Sequence, residues 1–165
     1  MAVDTTLIGT STGRSRITIE RGPVSNFAAA VTDENPVYRS LEAAKAAGFA
    51  HIPAPPTFAF SMAHWGTFPE EQPDGAGKDT ESIVMEFVGG LMQRGGLVLH
   101  GEQEFIYHRP LVVGDVLDGE GTIADVYEKE RKGTTMTFLV TEHVFRDATT
   151  GEPVLTMRMN LIHRT

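Results

Sequence analysis

Apolar and polar residues alternate with a period of two along much of the second half of the chain. Over residues 154–163, Leu155, Met157, Met159 and Leu161 share one face, while Thr156, Arg158 and Asn160 share the other. That is the pattern of an antiparallel strand with one wet face. Residues 97–108, 116–127 and 135–145 are further strand candidates. Pro110 with Gly114-Asp115, Arg131-Lys132-Gly133 and the stretch 147–151 separate them. The first half differs. Residues 16–20 alternate briefly, Arg21-Gly22 breaks the run, and Pro23 opens a helix reaching Thr32, with Phe27 and Val31 four apart. Residues 41–47 form a second short helix, with Ser40 as its N-cap and Gly48 as its stop. Residues 1–14 are small and polar and predict an edge segment or a loose start. Pro53, Pro55 and Pro56 force extended chain. Residues 57–65 are apolar on nearly every side, which predicts a central helix buried all round. Residues 67–82 read as a mobile loop, and residues 83–96, interrupted by Gly89-Gly90 and Gly95-Gly96, are ambiguous.

Strand, helices, buried helix, then four strands on short turns imply an α+β domain, with one antiparallel sheet packed around a central helix. A chain of 165 residues fills one such domain, residues 1–165. The net charge of −8 argues against nucleic acid, whose phosphates require a basic patch. The chain has no cysteine, which removes disulfides, thiolate catalysis and cysteine-based metal sites and suits the cytoplasm. No apolar stretch approaches the ~20 residues of a membrane span, and no secretory leader is legible at the start. No pair of histidines has the i, i+4 spacing of a zinc motif, so no metal is expected.

The chemistry concentrates between the two short helices, at Asp33-Glu34-Asn35-Pro36-Val37-Tyr38. Asp-x-Asn-Pro is a turn signal in its own right, because Asp and Asn bond nearby backbone and Pro fixes φ. An aspartate at a helix C-terminus works against the helix dipole, a local disagreement that hints at function. Together with Ala44 and Gly48-Phe49, the stretch resembles the hydratase motif of the MaoC-like dehydratase and (R)-specific enoyl-CoA hydratase family. Leu99 to Phe105, Tyr107-His108-Arg109-Pro110-Leu111 and Gly114-Asp115 are similar to that family's N-terminal-type, FAS1-like dehydratase domain. The resemblance implies a hot-dog fold, with residues 57–65 as the buried helix against a sheet built from residues 97–163.

The resemblance also implies a reaction. In the family an Asp and a His five residues apart activate one water for addition to a 2-enoyl thioester, or for its loss from a 3-hydroxyacyl thioester. This is general acid–base chemistry and requires no cofactor beyond the coenzyme A or carrier-protein thioester itself. Here Asp33 is kept, Asn35 matches, and Tyr38 stands where the histidine belongs. A phenol with an ordinary pKa of about 10 is a poor base at neutral pH. By the same resemblance the carbonyl site lies at the start of the central helix, at Pro56-Thr57 in place of the usual His-Gly. Pro56 has no N–H, so Thr57 is the nearest donor. Thr57, Phe58 and His51, beside the proline-rich segment, are the expected substrate contacts. The change from histidine to an aromatic residue is similar to the non-catalytic halves of the family, such as the partner subunit of mycobacterial-type (3R)-hydroxyacyl-ACP dehydratases. The expectation is therefore a substrate-shaping half that pairs, as homodimer or heterodimer, with a second hot-dog chain carrying an intact Asp/His motif. The alternatives are a self-sufficient homodimer using an Asp33/Tyr38 dyad, and an acyl-thioester-binding protein without catalysis. His64 reads as a core histidine and His100, alternating with Glu102 and Glu104, as part of a solvated face. Lys129, Arg131 and Lys132 read as a solvated turn with some capacity for a phosphate.

Overall fold

The computed structural model describes residues 3–64, 68–74, 76 and 80–165, without the side chains of residues 63, 64 and 80–82. Five strands form one antiparallel sheet: β1 (Ser11–Thr18), β2 (Leu97–Tyr107), β3 (Val116–Arg131), β4 (Thr134–Asp147) and β5 (Pro153–Arg164), in the order β1-β3-β4-β5-β2. The four later strands lie where alternation places them. β1 begins earlier than the sequence suggests, because its pairing with β3 reaches back to Ser11 across a bulge at Gly13. Lys132 and Gly133 both have positive φ, 53° and 75°, as a two-residue hairpin between β3 and β4 requires.

Helices α1 (Arg21–Ala30), α2 (Leu41–Ala46) and α3 (Thr80–Met92) and a 3₁₀ run, Phe58–His64, supply the other layer. The buried central element exists, but it is a 3₁₀ run and not an α-helix. The prolines preceding it favour tight i→i+3 bonds, seen from Phe58 N to the Pro55 carbonyl and from Phe60 N to the Thr57 carbonyl. Phe58, Ala59 and Met62 are buried as expected. Trp65 and the His64 side chain lie outside the described residues.

Helix α3 resolves most of the ambiguous stretch 83–96 as helix and takes residues 80–82 from the end of the stretch read as loop. Its periodicity is in the sequence: Ile83, Phe87 and Leu91 recur at four-residue spacing, as do Val84 and Val88. β-Branched residues and two glycines hide it by lowering helix propensity. Packing of Val88 with Ile123, Val126 and Leu139 overrides that propensity.

The core has two clusters. One joins α1, α2, the 3₁₀ run and one end of the sheet through Ile19, Val24, Ala44, Ile52, Phe58, Leu111, Phe145 and Leu155. The other places α3 over Ile123, Val126 and Leu139. Arg109 ties the loops together at the first end. Its guanidinium donates to both Asp115 oxygens at 2.8 and 3.0 Å and to Asp147 Oδ2 at 3.1 Å, while Asp147 also accepts from Thr149 and Thr150 N–H.

The two sheet edges differ. On β1 the Gln72 amide accepts from Arg16 N–H and donates to the Arg16 carbonyl, both at 2.9 Å, occupying the edge as a strand would. β2 has no such plug among the described residues and exposes Leu97, Leu99 and Ile106. A bulge between His100 and Glu102 shifts the strand by one residue. His100 therefore leaves the face of Glu102 and Glu104, contrary to the alternation read from the sequence, but it is exposed as that reading expects, with its ring centre 5.1 Å from that of Phe60.

Candidate active site

α1 ends in a Schellman motif. Thr32 N–H donates to the Ala29 carbonyl and Asp33 N–H to the Ala28 carbonyl. The left-handed position falls on Thr32, with φ 57°, where glycine is usual. A β-branched residue there holds backbone strain directly before the aspartate. Thr32→Gly is expected to raise stability by about 0.5–1 kcal/mol in chemical denaturation, the relieved left-handed strain less the added chain entropy of glycine.

The turn that follows is built by its own polar residues. Asp33 Oδ1 accepts from Asn35 N–H at 2.9 Å, and Asn35 Oδ1 accepts from Val37 N–H at 3.1 Å, capping the short 3₁₀ turn Pro36–Tyr38. Arg39 Nη2 donates to the Asp33 carbonyl at 2.8 Å, and Arg21 Nη2 donates to the Arg39 carbonyl at 3.0 Å. Neither arginine is conspicuous in the sequence. Only a count of the carbonyls left open after a helix C-terminus would have pointed to them. Asp33 keeps its second carboxylate oxygen without a hydrogen bond among the described residues. Tyr38 is half-buried and its pKa is raised, first by burial and then by the negative charge of Asp33. Its phenol is therefore protonated at neutral pH, a hydrogen-bond donor and not a base.

Downstream, α2 is capped by Ser40, whose Oγ accepts from Ala43 N–H, and is stopped by Gly48 at φ 89°. Residues 52–54 then run beside 111–113, with Ala54 N–H donating to the Leu111 carbonyl and Val113 N–H to the Ile52 carbonyl. His51 sits at the start of this strap, and its Nδ1 is buried without a hydrogen-bond partner among the described residues. Thr57 is exposed, whereas Phe58 is fully inside the core, edge-on to Phe27 with ring centres 5.6 Å apart. Among the described residues no hydrogen bond joins Asp33 or Tyr38 to His51 or Thr57. What they share is the core cluster of Val24, Ala44, Ile52 and Phe58 on which their elements rest.

Tyr107 is a further site residue that the sequence reading left as part of a strand. Its hydroxyl donates to the Pro56 carbonyl at 2.6 Å, and burial pushes its pKa up to about 12. It ties β2 to the segment that presents Thr57. Tyr107→Phe is expected to cost about 1 kcal/mol in denaturant unfolding, the usual net worth of such a bond.

Among the described residues no group of three or more His, Asp or Glu side chains could hold a metal. A polar groove of about 430 Å³, lined by Arg94, Glu128, Glu130, Thr135, Thr137 and His163, lies at the β3–β4 hairpin end and contains none of the motif residues. No helix among the described residues is long and apolar enough to cross a membrane.

Comparison with known proteins agrees with the fold. The chain superimposes on a chain of the HadBC (3R)-hydroxyacyl-ACP dehydratase complex of Mycobacterium tuberculosis with a TM-score of 0.66 and 22% identity, covering 98% of this chain and 99% of that one. It superimposes on a chain of the ChsH1-ChsH2 complex of the same organism with a TM-score of 0.68 and 23% identity, covering 92% and 85%. It thus has the hot-dog architecture of these neighbours. In sequence it is 36% identical over 146 residues to a UPF0336 protein of Parafrankia sp., covering 88% of this chain and 83% of the relative. It is 30% identical over 144 residues to a probable enoyl-CoA hydratase alpha subunit of Thermomonospora curvata, covering 84% of this chain but 43% of that protein. The description of the FAS1-like dehydratase domain region matches residues 6–157, and the chain belongs to that family.

Proposed function

We propose that this protein acts in the cytoplasm as the substrate-shaping half of a hydratase/dehydratase that interconverts 2-enoyl and 3-hydroxyacyl thioesters of coenzyme A or a carrier protein. A second hot-dog chain with an intact Asp/His pair supplies the acid–base groups. The observation that carries this is Tyr38. The residue at the family's histidine position is a phenol whose proton is held more tightly than usual by burial and by Asp33. Water activation needs a group that exchanges protons near neutral pH, and this one does not. Asp33, Asn35 and Tyr38 then shape and hydrate the mouth of the site, while Thr57 and His51 meet the thioester end. Phe58 contributes from beneath, as the packed support of Thr57. Addition of water to an activated double bond requires no metal and no organic cofactor.

The partner belongs on β2. That edge is unplugged and apolar, whereas β1 is closed by Gln72. Pairing there would extend the sheet into the second chain and remove the open edge. A self-sufficient homodimer is the second reading, favoured by the Nδ1 of His51, a buried ring nitrogen without a hydrogen bond among the described residues. Co-expression with a hot-dog chain carrying the intact motif tests the choice. A stable heteromer that hydrates 2-enoyl-CoA, with neither chain active alone, supports the paired site. Full activity of this chain alone, lost on His51→Ala, favours the homodimer.

A further inference from the structure

The inner face of the sheet, packed against the helices, is not uniformly apolar. Strand register aligns Gln103, Met159, Thr141 and Ile123 in one row across β2, β5, β4 and β3. The next row is Phe105, Met157, His143 and Gly121. These rows lie where the two core clusters meet: Met157 and Phe105 belong to the cluster under α1, and Ile123 to the cluster under α3. Thr141 is 2% exposed, and its hydroxyl has no hydrogen-bond partner among the described residues. Gln103 Nε2 donates to the Arg158 carbonyl at 2.9 Å, which pins the amide over β5, yet its buried Oε1 accepts no hydrogen bond from the described residues. His143 lies flat over Gly121, with Nε2 3.5 Å from Thr12 Oγ1, and a Cβ on Gly121 would collide with both groups. Burial lowers the pKa of His143, so the ring is neutral at neutral pH.

A buried hydroxyl without a partner is unfavourable, and valine has the same shape without the hydroxyl. Two such unsatisfied atoms on one row, beside a neutral imidazole and between two apolar clusters, form an arrangement that a bound polar group would complete. We propose that Thr141, Gln103 and His143 form a subsite for a hydroxyl group carried partway along the acyl chain of the ligand. This rests on the reading that the protein binds acyl thioesters. A hydroxyl fits better than other oxygens because it donates to Gln103 Oε1 while accepting from the Thr141 hydroxyl. A ketone only accepts and leaves Gln103 unpaired, and a methylene satisfies neither. Met157 and Met159, between the polar groups on β5, provide lining that can repack around a chain, since methionine is unbranched and adaptable.

The test measures binding of palmitoyl-CoA, and of its singly hydroxylated isomers taken along the chain, to the full-length protein and to Thr141→Val. One or two adjacent hydroxy isomers are expected to bind about tenfold more tightly than palmitoyl-CoA, the effect of roughly one well-made hydrogen bond. The corresponding keto isomer falls between them. Thr141→Val is expected to erase the preference, keep the palmitoyl-CoA affinity, and melt no lower than the parent. If palmitoyl-CoA binds and no hydroxy isomer is favoured, the subsite is refuted while the thioester reading stands. If no thioester binds at all, that reading fails and this inference with it. A Thr141→Val protein that melts below the parent means the hydroxyl is used within the fold, which also overturns the subsite.

Discussion

Alone, the purified chain is expected to hydrate 2-enoyl-CoA poorly or not at all, and Tyr38→His is expected to raise that rate by about 10²–10⁴-fold, the usual worth of one general acid–base group. The turn is already built to receive an imidazole. Its backbone is fixed by Asp33, Asn35 and Arg39 and not by the Tyr38 side chain, whose hydroxyl has no hydrogen bond among the described residues. Asp33 has a second carboxylate oxygen without a hydrogen bond among the described residues, which a water could occupy, since Asn35 N–H is on Oδ1. The same negative charge that raises the Tyr38 pKa would stabilise an imidazolium at that position. Asp33→Asn added to Tyr38→His is therefore expected to abolish the gain. Steady-state hydration, followed by loss of the enoyl thioester absorbance, checks each variant. Robust activity of the unmodified chain, lost on Tyr38→Phe, would replace this reading with the altered dyad. If Tyr38→His gains nothing alone but gains activity beside an intact hot-dog partner, the missing part is the carbonyl donor. Pro56 has no N–H, and its carbonyl is held by Tyr107.

Sheet and turn chemistry were legible in the sequence because each is local. Alternation places β2 to β5 within a few residues, and the capping roles of Ser40, Gly48, Asp33 and Asn35 follow from side chains bonding their own neighbourhood. What escaped depends on distant partners. The bulge that puts His100 on the opposite face of β2 from Glu102 and Glu104 is set by pairing with β5 and leaves only Gly101 as its trace. α3 has helical spacing but poor propensity, so packing on Ile123 and Leu139 had to decide it. Gln72, in a stretch read as mobile loop, meets Arg16 across 56 positions of sequence. The candidate site divides in the same way. Its turn was readable, whereas the bond from Tyr107 to Pro56 and the burial of His51 Nδ1 away from any partner among the described residues are tertiary facts.

The largest stability effect is expected at Phe58. Phe58→Ala is predicted to lower the unfolding free energy by about 3–5 kcal/mol, the range for deleting a fully buried aromatic ring. Phe58 is 0% exposed, packs edge-on to Phe27 of α1 at an interplanar angle of 88°, and shares a cluster with Ala44 of α2, Ile52 and Leu155. The ring is thus where the helix that delivers Asp33, the helix after the turn and the run that begins at Thr57 all meet the sheet. Phe58→Leu keeps most of the volume and is expected to lose less. If so, acyl-thioester binding will track packing and not ring chemistry, with Leu retaining it and Ala weakening it even where the protein remains folded. Denaturant titration with binding measured on the folded fraction separates the two effects. Phe58→Ala at wild-type stability would place the ring outside the core. Binding lost in Phe58→Leu at undiminished stability would make Phe58 a direct contact of the acyl chain, reached only when the 3₁₀ run lifts from the sheet.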